Sequence, residues 1–436
     1  MKILLISDEV WNDSIHGNGV LSNWFNGFPA EFANIYLSPG LPQNQCCDTY
    51  FQITDGMMIK SIVKGKPAGR ILEKNERHIP DGQTYQSTDV QGIGFLRKHC
   101  GNLLRLLKNV VWGVGKYNQL LLKQFIEDFQ PDIIFSPRFA TGKVLRLERE
   151  VLKHASCPIV AFTGDNEYSM RQVALSPVFW INHLYRRHKL KKMMPQYALY
   201  YTLSAEQKQE YEASFDINMK VLMKCGEFPQ NYEKKPVGQP IHLVYAGKLY
   251  MNRWKTLAKI GEALNKINGD GVKMTLDIYT RDAVTDKQKQ VLDDGKNIFL
   301  RGSVAPEKLT EIYKKADVAL HVESFGLKQR YATRVSFSTK IIDCLASTCA
   351  VLAIAWKEHS GLTYLKREDA AICVDSMEEM EQVLRKLCDQ PELVTEYQKK
   401  AWQCGKRNHQ KNTVQKMLQK DFEEIIHESS TNKRGL

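Results

Sequence analysis

The sequence predicts an α/β protein of two Rossmann-like domains, and three observations carry that expectation. At 436 residues the chain exceeds what one ordinary hydrophobic core serves. Short apolar runs alternate with amphipathic helical stretches, the order expected of parallel strands joined by crossover helices. That alternation stops and restarts across 226–240, a stretch rich in Gly, Pro and Lys with no period of its own.

The elements follow in chain order. Strand-like runs fall at Lys2–Ser7, Ile133–Phe135, Ile159–Phe162 and Leu199–Leu203, with a helical pattern over Tyr117–Phe129 between them. Beyond the break come strand Ile241–Ala246, helix Arg253–Ile267 and strands Met274–Tyr279 and Ile298–Arg301. Helix Pro306–Lys314, strand Val318–Val322, helix Thr339–Ala346 and strand Ala350–Ala355 complete the second alternation. Met377–Ile426 is helical and charged, with Val414, Met417, Phe422 and Ile425 at helical spacing, and is expected to pack outside the sheets. The expected division is 1–225 as acceptor-binding domain, 226–240 as linker, 241–410 as nucleotide-binding domain and 411–436 as terminal helix and polar tail.

Composition bounds the function. Hydrophobic residues at 43% and charged residues at 25% are those of a soluble globular chain. The apolar opening ends at Asp8 and Glu9, well short of a span of roughly 20 residues, so a cytoplasmic protein is expected. Ten cysteines show no metal-ligand spacing, which predicts reduced, structural thiols. The net charge of +12, densest at Arg186, Arg187, Lys189, Lys191 and Lys192, suits a polyanionic ligand, an anionic membrane or nucleic acid. No aromatic-plus-basic RNA signature, zinc finger or helix-turn-helix accompanies it, which leaves nucleic-acid binding a remote alternative.

Several positions have residues suited to phosphate chemistry. After the first strand, His16-Gly-Asn-Gly19 precedes a helix start at Val20. Gly17 and Gly19 either aim free N–H groups at an anion or merely shape a loop, and Ser22 stands where a dinucleotide fingerprint has its third glycine. Tyr245-Ala-Gly-Lys-Leu249 places Gly247 and Lys248 at a strand's carboxyl end, with Arg253 and Lys255 before the next helix. Paired cations there would hold a diphosphate, or form a solvated basic loop. In Ser338-Thr-Lys-Ile-Ile-Asp343, Ser338 reads as an N-cap, and Lys340 and Asp343 project together from the helix start, either towards a nucleotide or as a solvated ion pair.

The segments Tyr245–Leu249, Asn297–Gly302, Ala316–Val322 and Ser338–Ala346, in this order, resemble the donor half of the bacterial group 1 (family 4) glycosyltransferases. That resemblance implies the GT-B fold: two facing Rossmann-like domains, a cleft between them, and retaining transfer from a nucleotide sugar without a metal. It further implies that Lys248, with Arg253 or Lys255, holds the donor diphosphate. Ser338, Thr339 and Lys340 would meet the nucleotide, and Asp343 would take the place of the family's ribose-binding glutamate. Glu323 is the nearest counterpart of a second family glutamate, at a longer offset. The family's His-Asp pair reads Gly164-Asp165 here, so Asp165 would assist proton transfer or orient an acceptor, the alternative being a helix cap.

The expected activity is therefore sugar transfer, from a donor read as UDP-linked, to a glycan or lipid-linked glycan in bacterial surface polysaccharide synthesis. A catalytically degenerate nucleotide-sugar binder and a sugar-nucleotide epimerase of the same fold are the alternatives. Phe95–Val114 and Val178–Met194 mix aromatic, aliphatic and basic residues as interfacial helices do, which suggests peripheral contact with the inner membrane leaflet; ordinary surface helices are the other reading.

Overall fold

The computed structural model describes residues 1–13, 19–73, 76, 104, 106–138 and 141–434, arranged as two compact units. Unit 1 comprises Met1–Met170, Ala174–Leu222 and Val414–Leu436; unit 2 comprises Arg171–Val173 and Met223–Thr413.

Unit 1 opens with β1 (Lys2–Ser7), α1 (Gly19–Phe25), β2 (Glu31–Tyr36), β3 (Thr49–Gln52), α2 (Asp55–Val63) and β4 (Arg70–Ile71). Helix α3 spans 106–114, followed by α4 (Gln119–Phe129), β5 (Ile133–Arg138), α5 (Gly142–Val151) and β6 (Ile159–Thr163). Then come α6 (Pro177–Met193), β7 (Tyr197–Thr202), α7 (Ala205–Glu212) and β8 (Met219–Val221). The sheet runs β4-β3-β2-β1-β5-β6-β7-β8, parallel except for β3 with β4. Its central strands are buried on both faces, which is why they read as continuous apolar runs rather than as alternation. The sequence reading placed β1, β5, β6 and β7 and passed over β2, β3, β4 and β8. Strands β4 and β8, of two and three residues, give periodicity too little length to register.

Unit 2 contains β9 (Ile241–Ala246), α8 (Arg253–Ile267), β10 (Met274–Tyr279), α9 (Asp286–Leu292), β11 (Ile298–Gly302), α10 (Pro306–Lys315) and β12 (Val318–Val322). There follow α11 (Leu327–Thr333), α12 (Lys340–Ala346), β13 (Ala350–Ile354), α13 (Ser360–Arg367), β14 (Ile372–Val374), α14 (Met380–Asp389) and α15 (Glu392–His409). Its strands pair in parallel in the order β11-β10-β9-β12-β13-β14. That order reverses direction between β9 and β12, and in such sheets ligands bind at the carboxyl ends of the strands flanking the reversal. Residues 226–240 form no helix or strand and are tied to unit 2, the Lys235 ammonium donating to the carbonyls of Tyr313 and Ala316.

The chain ends in α16 (Lys411–Arg434), most of which belongs to unit 1. Phe422 is fully buried against Phe28 and Phe135, and Asp421 accepts from the Tyr201 hydroxyl and the Lys220 ammonium, each at 2.5 Å. The apolar spacing read from the sequence thus faces the core of the first unit.

Candidate functional site

Strand β9 ends at the reversal point of the second sheet, and the turn after it is shaped by one long side chain. Lys340, the first residue of α12, runs back so that its ammonium lies 5.8 Å from the Tyr245 ring centre. A Cβ on Gly247 would collide with that ammonium and come within 2.7 Å of the Tyr245 hydroxyl, so a larger residue there forces the Lys340 side chain off its present path. The Tyr245 hydroxyl donates to the Lys248 carbonyl at 2.7 Å, and Asp282 accepts from the Leu249 amide at 2.6 Å, fixing the turn from both sides.

Among the described residues no carboxylate forms an ion pair with Lys340, although Glu323 and Asp343 are near enough to favour its charge. Burial, reinforced by the Arg253 guanidinium, pushes its ammonium pKa down to about 8. A half-buried cation held beside a second cation is a poor structural element and a ready-made anion site.

Arg253 opens α8 immediately after Asn252, a left-handed residue with φ of 63°. Its guanidinium grips Glu323 through two hydrogen bonds, Nε to Oε2 at 3.0 Å and Nη2 to Oε1 at 2.6 Å. Both side chains are buried. Burial works to raise the Glu323 carboxyl, but His359 and Arg253 outweigh it and hold it below the usual carboxylate range. Thr256 donates to the Glu323 carbonyl at 2.9 Å, so α8 anchors the end of β12 by backbone as well as side chain.

Two histidines complete the buried cluster. His321, on the same face of β12 as Glu323, has an Nε2 without a hydrogen-bond partner, and burial pushes its pKa down to about 3, so it is neutral. His359 caps α13, its Nδ1 accepting from the Gly361 amide at 3.1 Å, which puts the ring proton on Nε2. Ligand atoms of His321, Glu323 and His359 all lie within 4.8 Å of one another, the group with metal-binding spacing among the described residues. Both Glu323 oxygens already accept from Arg253, so a cation there would compete with the guanidinium for the carboxylate.

The structure distributes the remaining sequence-derived residues unevenly. Lys248 and Lys255 are exposed, their ammonium groups over the rings of Tyr250 and Trp254. Helix α12 starts one residue later than the capping pattern implied: Thr339, not Ser338, is the cap residue, and it makes no side-chain capping bond. Ser338 instead accepts from the Ile341 amide through its carbonyl. Lys340 and Asp343 do not pair. Asp343 is exposed and bound to Lys224 at 2.5 Å.

In unit 1, Gly17 lies outside the described residues, while Gly19 opens α1. Asp165 follows β6 and reaches solvent, although the surrounding protein raises its carboxyl pKa by desolvation, with Arg186 opposing. The next helix, α6, begins at Pro177 with Ser176 as its cap, so Asp165 caps no helix and that alternative is withdrawn. The sequence reading missed Lys143, buried at the start of α5, which pairs with Asp8 beyond β1 and donates to the Leu37 carbonyl at 3.1 Å. The partners are 135 positions apart, and nothing local marks them. His321 and His359 were missed for the same reason: each is a lone histidine in an apolar or loop context.

Residues 262–419 match the family described as glycosyl transferase-like. Sucrose-phosphate synthase from Thermosynechococcus elongatus superposes with a TM-score of 0.61 at 12% identity, covering 98% of this chain and 99% of its own. HepE of Anabaena, solved in complex with UDP, gives 0.60 at 12% identity over 97% and 100%. An α,α-trehalose-phosphate synthase (UDP-forming) from Burkholderia xenovorans, in complex with glucose-6-phosphate, gives 0.56 at 10% over 97% and 100%. No curated protein sequence matches the chain. The chain thus shares the two-domain fold of these GT-B structures, and a glycosyl transferase-like segment occupies most of its second unit.

Proposed function

We propose that the protein transfers a sugar, with retention, from a UDP-linked donor to a glycan or lipid-linked glycan acceptor, in bacterial surface polysaccharide synthesis at the inner membrane leaflet. The observation that carries the donor assignment is Lys340, an ammonium with no ion-pair partner among the described residues, beside Arg253 at the reversal point of the second sheet. The structure solved with UDP and the UDP-forming synthase share this fold and support the choice of nucleotide.

On this reading the donor diphosphate lies over Gly247, where the missing side chain lets backbone and Lys340 approach it, with Lys248 at its open side. Arg253 exchanges Glu323 for a phosphate oxygen, leaving the Glu323 carboxylate and His321 Nε2 free to accept from or pair with sugar hydroxyls. Asp343 exchanges Lys224 for the ribose. As the bond from the anomeric carbon to the phosphate oxygen breaks, its electron pair becomes diphosphate charge, which the cations stabilise more strongly than they stabilise the ground state. The acceptor oxygen forms the new bond on the same face and its proton passes to the departing diphosphate, with Asp165 orienting the acceptor hydroxyl. The cations take the part a metal would otherwise play, so no metal is required.

The test is UDP titration by calorimetry together with nucleotide release from a panel of UDP-, GDP- and TDP-sugars. UDP should bind, and at least one UDP-sugar should turn over. Lys340→Ala should weaken UDP binding by on the order of tenfold or more, since charge-assisted contacts each contribute about 1.5 to 3 kcal/mol. Parental UDP affinity in that variant would place the donor site elsewhere.

A further inference from the structure

Helices α2, α3 and α6 form one layer on unit 1. Asp55 of α2 accepts from the Trp112 indole at 2.6 Å and pairs with Lys108 at 2.7 Å, both on α3, and Asn109 of α3 donates to Asn182 of α6 at 3.0 Å. Their inner faces are ordinary core: Met58, Trp112, Leu190 and Met193 are buried in the cluster beneath the sheet.

Their outer faces are not ordinary. On α3, Leu107, Val110 and Val114 lie opposite Trp112 on the helical wheel and are all exposed, Val114 by 59%. On α2, Ile59, Ile62 and Val63 are exposed, Val63 by 75%. On α6, Ile181, Leu184 and Tyr185 occupy the outer side, with Ile181 exposed by 56%, and Leu175 just before the helix is fully exposed. Single exposed apolar side chains need no explanation, but matching stripes on three adjacent helices do.

Charge decides what covers them. Exposed lysines border each stripe: Lys60 and Lys64 on α2, Lys108 and Lys116 at and beyond α3, and Lys191 and Lys192 at the end of α6. On α6 the outer face runs from Ile181, Leu184 and Tyr185 to His188, Lys191 and Lys192, apolar first and cationic after. Apolar side chains at the centre with cations able to reach past them is the chemistry of an anionic bilayer surface, which supplies hydrocarbon and phosphate together.

We propose that the α2–α3–α6 face docks the protein on anionic lipid, burying Leu107, Val110, Ile181 and Leu184 at the level of the headgroups while the lysines meet lipid phosphates. The proposal rests on the reading of a membrane-side acceptor and sharpens it, from two basic segments in the sequence to one defined surface.

Co-sedimentation with vesicles of phosphatidylglycerol and phosphatidylcholine, against phosphatidylcholine alone, tests it. The parent should bind the anionic vesicles and not the neutral ones. Ile181→Ser with Leu184→Ser should weaken binding by about tenfold or more even at low salt, because apolar insertion is lost. Lys191→Gln with Lys192→Gln should weaken it by a similar factor, an effect that shrinks as salt is added. All four positions are exposed, and thermal unfolding of each variant checks folding while UDP titration checks donor binding. Vesicle binding without UDP binding would defeat the proposed function and leave the docking surface standing. The docking surface is overturned if the parent ignores anionic vesicles, if the serine variant binds as the parent does, or if lipid-free parent dimerises through these residues.

Discussion

Gly247 and Lys340 are coupled, since the lysine's present path uses the space a side chain on Gly247 would fill. Burying an ammonium beside a second cation costs stability, and that cost is measurable. In the folded chain Lys340 titrates at about 8, against 10.5 for a free lysine. The native state therefore binds fewer protons than the unfolded chain between those values, and stability should rise with pH across that window. Donor binding has the opposite sign. If Lys340 holds the diphosphate as proposed, binding needs the protonated ammonium, so UDP affinity should be flat up to about pH 7.5 and fall as the pH passes 8, where the phosphates are already fully ionised. Lys340→Met, which keeps the stem and removes the charge, should be at least as stable as the parent and weak for UDP at every pH. Calorimetric titrations from pH 6.5 to 9.5 on both proteins settle the matter: a parental affinity unchanged over that range removes Lys340 from the diphosphate.

At the scale of elements, α8, β9 and β10 fall at the positions their periodicity predicts, because long elements with a buried face leave a long record in the sequence. Short elements do not, which is why β4, β8 and β14 escaped. The site was legible only where its residues announce themselves locally. Gly247, Arg253 and Lys340 lie at helix or strand ends, whereas the Arg253–Glu323 fork joins residues 70 positions apart and the histidines carry no pattern at all. Helix α12 shows the limit best: its residues were identified, yet Asp343 turned out to be held by Lys224, a partner no spacing rule could supply. That pair is partly exposed and should contribute only about 0 to 1 kcal/mol to stability. If Asp343 leaves Lys224 for the ribose, Asp343→Ala should lower UDP affinity by about 1 to 3 kcal/mol with little thermal effect. The parent should also prefer UDP over its deoxyribose analogue, and the variant should lose that preference. A preference that survives the substitution would return Asp343 to a surface ion pair.

At the scale of the whole molecule, the proposed function divides donor binding and acceptor handling between the two units, and that division can be tested with a single carboxylate. Unit 2 concentrates cations at the reversal point of its sheet. Unit 1 has Asp165 after β6, open to solvent but with its carboxyl pKa raised by the surrounding protein. A raised carboxyl is closer to the pKa of a useful proton carrier than a free aspartate, and a group that caps no helix has no evident structural duty there. Its neighbours reinforce that view, because the hydrogen bonds from Gln207, at 2.8 Å, and Thr163, at 3.2 Å, go to its backbone carbonyl and leave the side chain out of the scaffold. Asp165→Asn preserves shape and hydrogen-bonding capacity while removing the negative charge. If donor binding belongs to unit 2 and acceptor handling to unit 1, the variant should bind UDP as the parent does, melt at the same temperature and turn over roughly a hundredfold more slowly. The pH profile should follow: a carboxylate acting on the acceptor makes the parental rate fall at acid pH as Asp165 protonates, and the asparagine variant should lose that limb. An equal loss of UDP affinity and turnover would instead assign Asp165 to donor binding, and an unchanged rate would leave acceptor handling to other residues of unit 1.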